Sequence, residues 1–111
     1  MRKMPNRRNE SNVAESRDIQ VVDESEIALG QLFDKFVQAS PGEQWVLQPA
    51  IEKVSAELAG ARFRLFQSDV LVKETDLVLL NQIREEIDKA ADNQTLIMSA
   101  LKLAAFLGVF A

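Results

Sequence analysis

Apolar residues first recur at helical intervals just after Asp23. Asp23 and Glu26 stand three positions apart, the spacing of a capping box, in which two side chains satisfy backbone N–H groups at the start of a helix. The sequence therefore predicts a helix that begins near Asp23 and ends by Ser40, because the residue before a proline disfavours the helical region. Its predicted apolar face comprises Ile27, Leu29, Leu32, Phe33, Phe36 and Val37.

A second helix start follows at once. Ser40 and Glu43, with a proline between them, again match a capping box and the favoured place for proline. Pro49 lacks an N–H group, so we expect a short helix over 41–47 and a new helix with Pro49 in its first turn, a kink being the alternative. Trp45, the only tryptophan, is expected to cover one end of the core rather than to stack on a ligand.

Two further amphipathic helices are predicted downstream. The helix from Pro49 to Phe66 has a seam at intervals of three and four, made of Ile51, Val54, Leu58, Ala61 and Leu65. The next runs from Val70 to Ala91 after a cap at Ser68 and Asp69, with a seam made of Leu80, Ile83, Ile87 and Ala90. The alternative for residues 70–78 is a β-hairpin that turns at 73–76, which the lack of glycine or asparagine there disfavours.

The stretch from Leu96 to Ala111 is the most apolar in the chain. It follows a break and cap at Asp92 and Asn93, and its polar positions Thr95, Ser99 and Lys102 form one narrow stripe if it is helical. Such a helix has to be surrounded, and we expect it to pack in an oligomer or partner interface. The predicted interface residues are Leu96, Ile97, Leu101, Leu103, Phe106, Leu107, Val109 and Phe110.

These elements predict an all-α fold: a small antiparallel bundle of three to four helices, with the short extra helix at 41–47. The connections are short, which places successive helices side by side. Residues 21–111 form a single helical domain, and residues 1–20 are expected to be a disordered, polar and basic tail. No apolar segment follows the early positive charges, so no signal peptide is predicted and the cytoplasm is the default location.

The residue inventory argues against an enzyme. The chain has no cysteine and no histidine, and it has no tyrosine, which removes the common metal ligands, general bases and thiol nucleophiles. Its four glycines are scattered, so no phosphate-binding loop is present. Glu85 and Asp88 have a chelating spacing but belong to a face expected to be solvated. We therefore predict no catalytic residue, no metal and no cofactor.

Charge leaves nucleic acid as a minor alternative. Arg2, Lys3, Arg7 and Arg8 are possible phosphate contacts, yet four charges without interleaved aromatic residues give weak, salt-sensitive binding. Residues 21–111 carry eight basic against fourteen acidic side chains, which opposes a nucleic-acid surface. We therefore expect the N-terminal segment that carries these four charges to be a solvated tail.

The favoured function is a non-enzymatic helical module for protein–protein interaction or assembly, whose partner is itself or another helical chain. A self-contained bundle and a membrane-associated protein that inserts residues 96–111 are the alternatives. That stretch spans only about 24 Å as a helix against a hydrocarbon core of about 30 Å, and Lys102 would lie near its middle. In layout the chain resembles subunits of bacterial secretion rods and filaments and helical secretion chaperones, and no functional residue is carried over from them.

Overall fold

Four helices make up the part of the chain that this computed structural model describes, residues 5–67 and 72–111, with side chains from residue 16 onward. The helices pack as a ring in which α1 contacts α2 and α3, and α4 contacts the same two from the opposite corner. The predicted all-α bundle is confirmed. The bounds are α1 Pro5–Gln38, α2 Pro41–Phe66, α3 Glu74–Lys89 and α4 Asn93–Gly108.

Helix α1 begins well before the predicted start near Asp23, so that prediction is wrong. The Asp23 and Glu26 pair lies inside the helix, where Val21 and Val22 on the preceding turn are already buried in the core. Residues 16–20, assigned to the predicted tail, therefore belong to α1. Residues 1–4 lie outside the described part of the chain.

Helix α2 has the predicted capping box but not the predicted break. The Ser40 N–H group donates to Glu43 Oε1 at 3.1 Å, and the Glu43 N–H group donates to Ser40 Oγ at 3.3 Å. The helix then continues through Pro49, so the separate short helix over 41–47 is wrong. Pro49 removes only one backbone hydrogen bond and is itself exposed, while the buried Leu47 and Ile51 on either side hold this turn against the core.

Helix α3 begins four residues later than predicted. The Lys73 N–H group donates to Asp76 Oδ2 at 2.8 Å, which satisfies one backbone donor at the helix start. The proposed cap at Ser68 and Asp69 falls in 68–71, outside the described residues. Leu77 and Val78 lie in α3, and the described residues contain no strand, so the hairpin alternative is wrong.

The predicted seams of α2 and α3 are the sides that face the core. All five seam residues of α2 are buried, as are Leu80, Ile83 and Ile87 of α3, while Ala90 is partly buried against them. Because each helix has one such side, the ring encloses a continuous apolar interior.

Polar contacts hold α1 against α3. Arg84 Nη1 lies 3.3 Å from Glu24 Oε1, a partly buried ion pair between the two helices. Lys35 Nζ donates to the carbonyl oxygens of Asp88 at 2.9 Å and Ala90 at 3.0 Å. A cation at the C-terminal end of α3 satisfies carbonyl groups that have no partner within the helix and complements the helix dipole.

Candidate protein interface

Helix α4 is mainly a core element of its own chain. Of the eight residues predicted as interface, five are buried inside the bundle: Leu96, Leu103, Phe106, Leu107 and Phe110. Ile97 is partly buried against the same core, whereas Leu101 is 44% exposed and Val109 is 78% exposed. The helices of this chain thus supply most of the neighbours that the apolar stretch requires, and a partner can reach only the two exposed residues of the predicted set.

Polar side chains at the start of α4 and along its polar stripe have partners in the bundle. The predicted cap is confirmed: Asp92 Oδ1 accepts from the Thr95 N–H group at 2.7 Å, and this bond lowers the pKa of Asp92 below its ordinary value. Ser99 is buried, and its hydroxyl donates to the Thr95 carbonyl oxygen at 3.0 Å. Lys102 Nζ reaches Glu86 Oε1 at 3.0 Å on the exposed side.

A polar depression of about 530 Å³ lies between α3 and α4. Its charges are balanced by ion pairs, since Lys89 Nζ lies 4.0 Å from Glu85 Oε1 and Glu86 is paired with Lys102. Within the described residues, no group of three or more acidic side chains is arranged to hold a metal ion. The depression is lined by Gln82, Glu85, Glu86, Lys89, Ala90, Thr95 and Ser99.

Two apolar depressions lie along the outer side of α2, and the first of them also includes residues of α1. The first, of about 330 Å³, is the groove depression, lined by Phe33, Phe36, Gln48, Ile51, Glu52 and Ser55. The second, of about 520 Å³, is the aromatic depression, lined by Ala59, Arg62, Phe63, Phe66 and Gln67. The two follow one another along α2, and we call them together the α1/α2 face.

Three exposed aromatic rings lie on the α1/α2 face. Phe33 is 46% exposed, Phe63 is 65% exposed and Phe66 is 59% exposed. Single exposed apolar side chains are ordinary in soluble proteins, but a group of large ones on one side of a small protein marks an interaction surface. Three of the six phenylalanines of the chain thus lie where they contribute little to the core.

An ion pair bridges the two helices on the α1/α2 face. Arg62 Nη2 contacts Glu26 Oε2, and the two side chains are 48% and 45% exposed. The pair ties α1 to α2 beside the aromatic depression. A guanidinium group has five N–H donors, so Arg62 keeps donors for a second acceptor.

The sequence pattern contains a signal for this face. Phe63 and Phe66 fall off the α2 seam of Leu58, Ala61 and Leu65, so a helix directs them away from the core. Phe33 was assigned to a single apolar face of α1, yet Leu32 occupies the core and Phe33 lies about 100° further round the helix. The predicted apolar face of α1 is therefore wider than the part of the helix that the core covers.

Trp45 is 80% exposed, so the prediction that it covers the end of the core is wrong. Leu47, two residues later, is fully buried, and two residues turn a helix by about 200°. The side chain that faces the core at this level of α2 is therefore Leu47. Trp45 points away from the bundle.

The remaining predicted binding residues are in the N-terminal segment. Arg2 and Lys3 lie outside the described part of the chain, and Arg7 and Arg8 are on α1 in the range whose side chains are not described. Over the described ranges, no helix combines the length and the apolar character needed to cross a membrane.

Comparison with protein-family models, with curated proteins and with solved structures finds no match to this chain. The candidate site therefore rests on its own geometry.

Proposed function

We propose that this chain is a non-enzymatic module for protein–protein interaction or assembly, and that it contacts its partner through the α1/α2 face. The observation that carries the proposal is the exposure of Phe33, Phe63 and Phe66 on one side of the bundle. Aromatic side chains with a few polar neighbours are typical of the centre of protein interfaces. The face has this composition, with Arg62 and Glu52 beside the rings.

The shape of the face favours a helical partner. The groove depression lies between two neighbouring helices, α1 and α2, and is walled by Phe33 and Phe36 on one side and by Ile51 on the other. Apolar grooves between helices bind the apolar side of another helix, whose side chains at intervals of three and four fill the groove. A partner helix there would cover rings that otherwise face water.

Two other functions receive less support. The membrane alternative relied on residues 96–111, and most of their large apolar side chains are occupied in the core of the bundle. The nucleic-acid alternative relies on Arg2, Lys3, Arg7 and Arg8, whose side chains are outside the described range. The resemblance in layout to bacterial secretion subunits and chaperones is taken no further than this class of function.

Site-specific photo-crosslinking in cells that produce the chain tests the proposal. A photo-reactive amino acid replaces Phe63 on the α1/α2 face, Leu101 on the exposed side of α4, or Lys89 on the polar α3/α4 surface, each in a separate variant. We expect a discrete protein adduct from position 63 and none from position 89. The adduct should disappear when Phe66→Ser is added to the variant at position 63, because the substitution removes an adjoining apolar contact.

The comparison between positions 63 and 101 separates the two apolar surfaces. An adduct at 101 with none at 63 would contradict the assignment to the α1/α2 face and return the interface to α4. The absence of adducts at all three positions would contradict the proposed function. Circular dichroism of each variant checks that the helical content is unchanged.

A further inference from the structure

We propose that the partner on the α1/α2 face is a second copy of this chain, bound so that the two α2 helices run antiparallel about a two-fold axis. The inference rests on the proposed function, since it names the occupant of the same face. It follows from the internal order of that face, which repeats along α2 in a way that allows the face to bind itself.

The two depressions use the same spacing on α2. The groove depression takes residues 48, 51, 52 and 55, and the aromatic depression takes residues 59, 62, 63 and 66. Each set has the intervals i, i+3, i+4 and i+7, and the sets are offset by eleven residues, which is close to three helical turns. Both therefore lie on one side of α2, one further along the helix than the other.

A two-fold axis that passes between the two α2 helices, perpendicular to them at the level of residue 57, exchanges these sets. It brings residue 48 to the level of residue 66 of the other copy, 51 to the level of 63, 52 to the level of 62, and 55 to the level of 59. In an isologous interface the same patch serves both subunits, so each aromatic depression would meet the groove depression of the other copy. All four pairs then occur twice.

One of these pairs is complementary in charge. Arg62 of one copy faces Glu52 of the other, and the two-fold axis creates this pair of opposite charges twice. Gln48 Nε2 donates to Glu52 Oε2 at 3.1 Å, which leaves the second carboxylate oxygen for an incoming guanidinium. Arg62 can keep its contact with Glu26 while it binds this oxygen, because its donors point in more than one direction.

The exposed rings fit this arrangement at one pair. Phe66 of one copy faces Gln48 of the other, which lines the groove depression. Phe63 lies about 60° from Phe66 round the helix, at the flank of this contact. Near the axis the paired residues are Ser55 and Ala59, which are small. Small side chains at the crossing let two helices approach to the shorter end of the usual 8–10 Å separation, so the larger rings on either side can reach the opposite groove.

Charge reversal with reassociation tests the inference. Arg62→Glu and Glu52→Arg each create two like-charge contacts in a homodimer, and we expect each to weaken the dimer by at least about tenfold in Kd. When the two variants are mixed, the acid introduced at 62 meets the base introduced at 52, and both contacts become opposite in charge. We therefore expect dimers of the mixture at concentrations where each variant alone is monomeric, measured by sedimentation equilibrium.

Lys53→Glu provides a matched control, because it reverses an exposed charge on α2 away from the α1/α2 face and should leave the dimer unchanged. Circular dichroism verifies that Arg62→Glu remains folded without its bond to Glu26, and Glu52→Arg tests the same contact without disturbing that bond. A chain that stays monomeric at millimolar concentration would overturn the inference. So would a dimer that neither reversal weakens, or a mixture that does not reassociate.

The two proposals fail in different ways. A monomeric chain that still gives an adduct at position 63 with another protein would refute the second copy and leave the interaction module in place. A chain with no adduct at position 63 in cells would refute the second copy and the assignment to the α1/α2 face, and a chain with no adduct at any of the three positions would also refute the interaction module.

Discussion

Trp45 and Leu47 stand two residues apart on α2 and have opposite surroundings. Leu47 is fully buried among the core side chains, while Trp45 is 80% exposed. Tryptophan is the larger residue and the more obvious choice for a core position, yet the direction that the helix gives each side chain decides which one is buried. Size alone misassigned Trp45.

We predict that Trp45→Ala changes the free energy of unfolding by no more than about 0.5 kcal/mol, as is usual for exposed positions. Leu47→Ala should lower it by about 2–5 kcal/mol, because the substitution leaves a cavity in the core. Urea unfolding followed by far-ultraviolet circular dichroism measures both. A loss above 2 kcal/mol for Trp45→Ala would show that the tryptophan packs against the chain.

Asp92 caps α4, and its contribution to the stability of the fold depends on pH. The bonds from Thr95, chiefly from its backbone N–H group, lower the pKa of Asp92 below the ordinary value of an aspartate in the folded state. A carboxyl group with a lowered folded pKa stabilises the fold above its unfolded pKa, and this contribution is lost as the pH falls through the folded pKa.

We therefore expect Asp92→Ala to destabilise the chain at neutral pH and to differ less from the parent chain as the pH falls through the lowered pKa of Asp92. Asp92→Asn is the matched control, because asparagine also caps helices but does not titrate. Its stability should not show the part of the acid loss that Asp92 contributes. Thermal unfolding at a series of pH values gives the comparison, and a pH-independent effect of Asp92→Ala would contradict the assignment.

At the scale of the element, the core-facing sides of α2 and α3 could be predicted from the sequence, and several helix ends could not. The seams of α2 and α3 follow from spacing alone, since a three and four periodicity admits few other structures. The caps at Ser40 and Asp92 could also be predicted from the sequence, because their side chains bind backbone groups only three residues away. The start of α1 could not be predicted, because Val21 and Val22 pack in the core and the helix continues upstream of the local start signal at Asp23 and Glu26.

Pro49 shows the same competition inside a helix. Locally a proline favours a break, but here the buried residues before and after it belong to one continuous side of α2. We predict that Pro49→Ala restores a backbone hydrogen bond and raises the free energy of unfolding by about 1–2 kcal/mol. Lys53→Ala, at another exposed position of α2, should change it by less than about 0.5 kcal/mol. A loss of stability in Pro49→Ala would instead indicate that the proline sets a bend on which the packing depends.

At the scale of the whole molecule, the last helix lies in the core and the α1/α2 face is exposed, which is the reverse of what their composition suggests. The other helices enclose most of the apolar stretch in α4, whereas the exposed rings belong to α1 and α2, which are ordinary amphipathic helices. The sequence shows that α4 needs neighbours on most sides, but it does not show whether one chain supplies them. The answer depends on how four helices pack, which is a property of their joint geometry.

Urea unfolding of a chain that ends at Asn93, compared with the full chain, tests most directly whether α4 belongs to the core of its own chain. The shortened chain keeps α1, α2 and α3 but loses Leu103, Leu107 and the other buried side chains of α4. Because those side chains fill the centre of the bundle, we predict that the shortened chain loses the cooperative transition of the full chain in far-ultraviolet circular dichroism. A cooperative transition at the midpoint of the full chain would contradict this account, since it would mean that α4 is dispensable to the core and available as an interface.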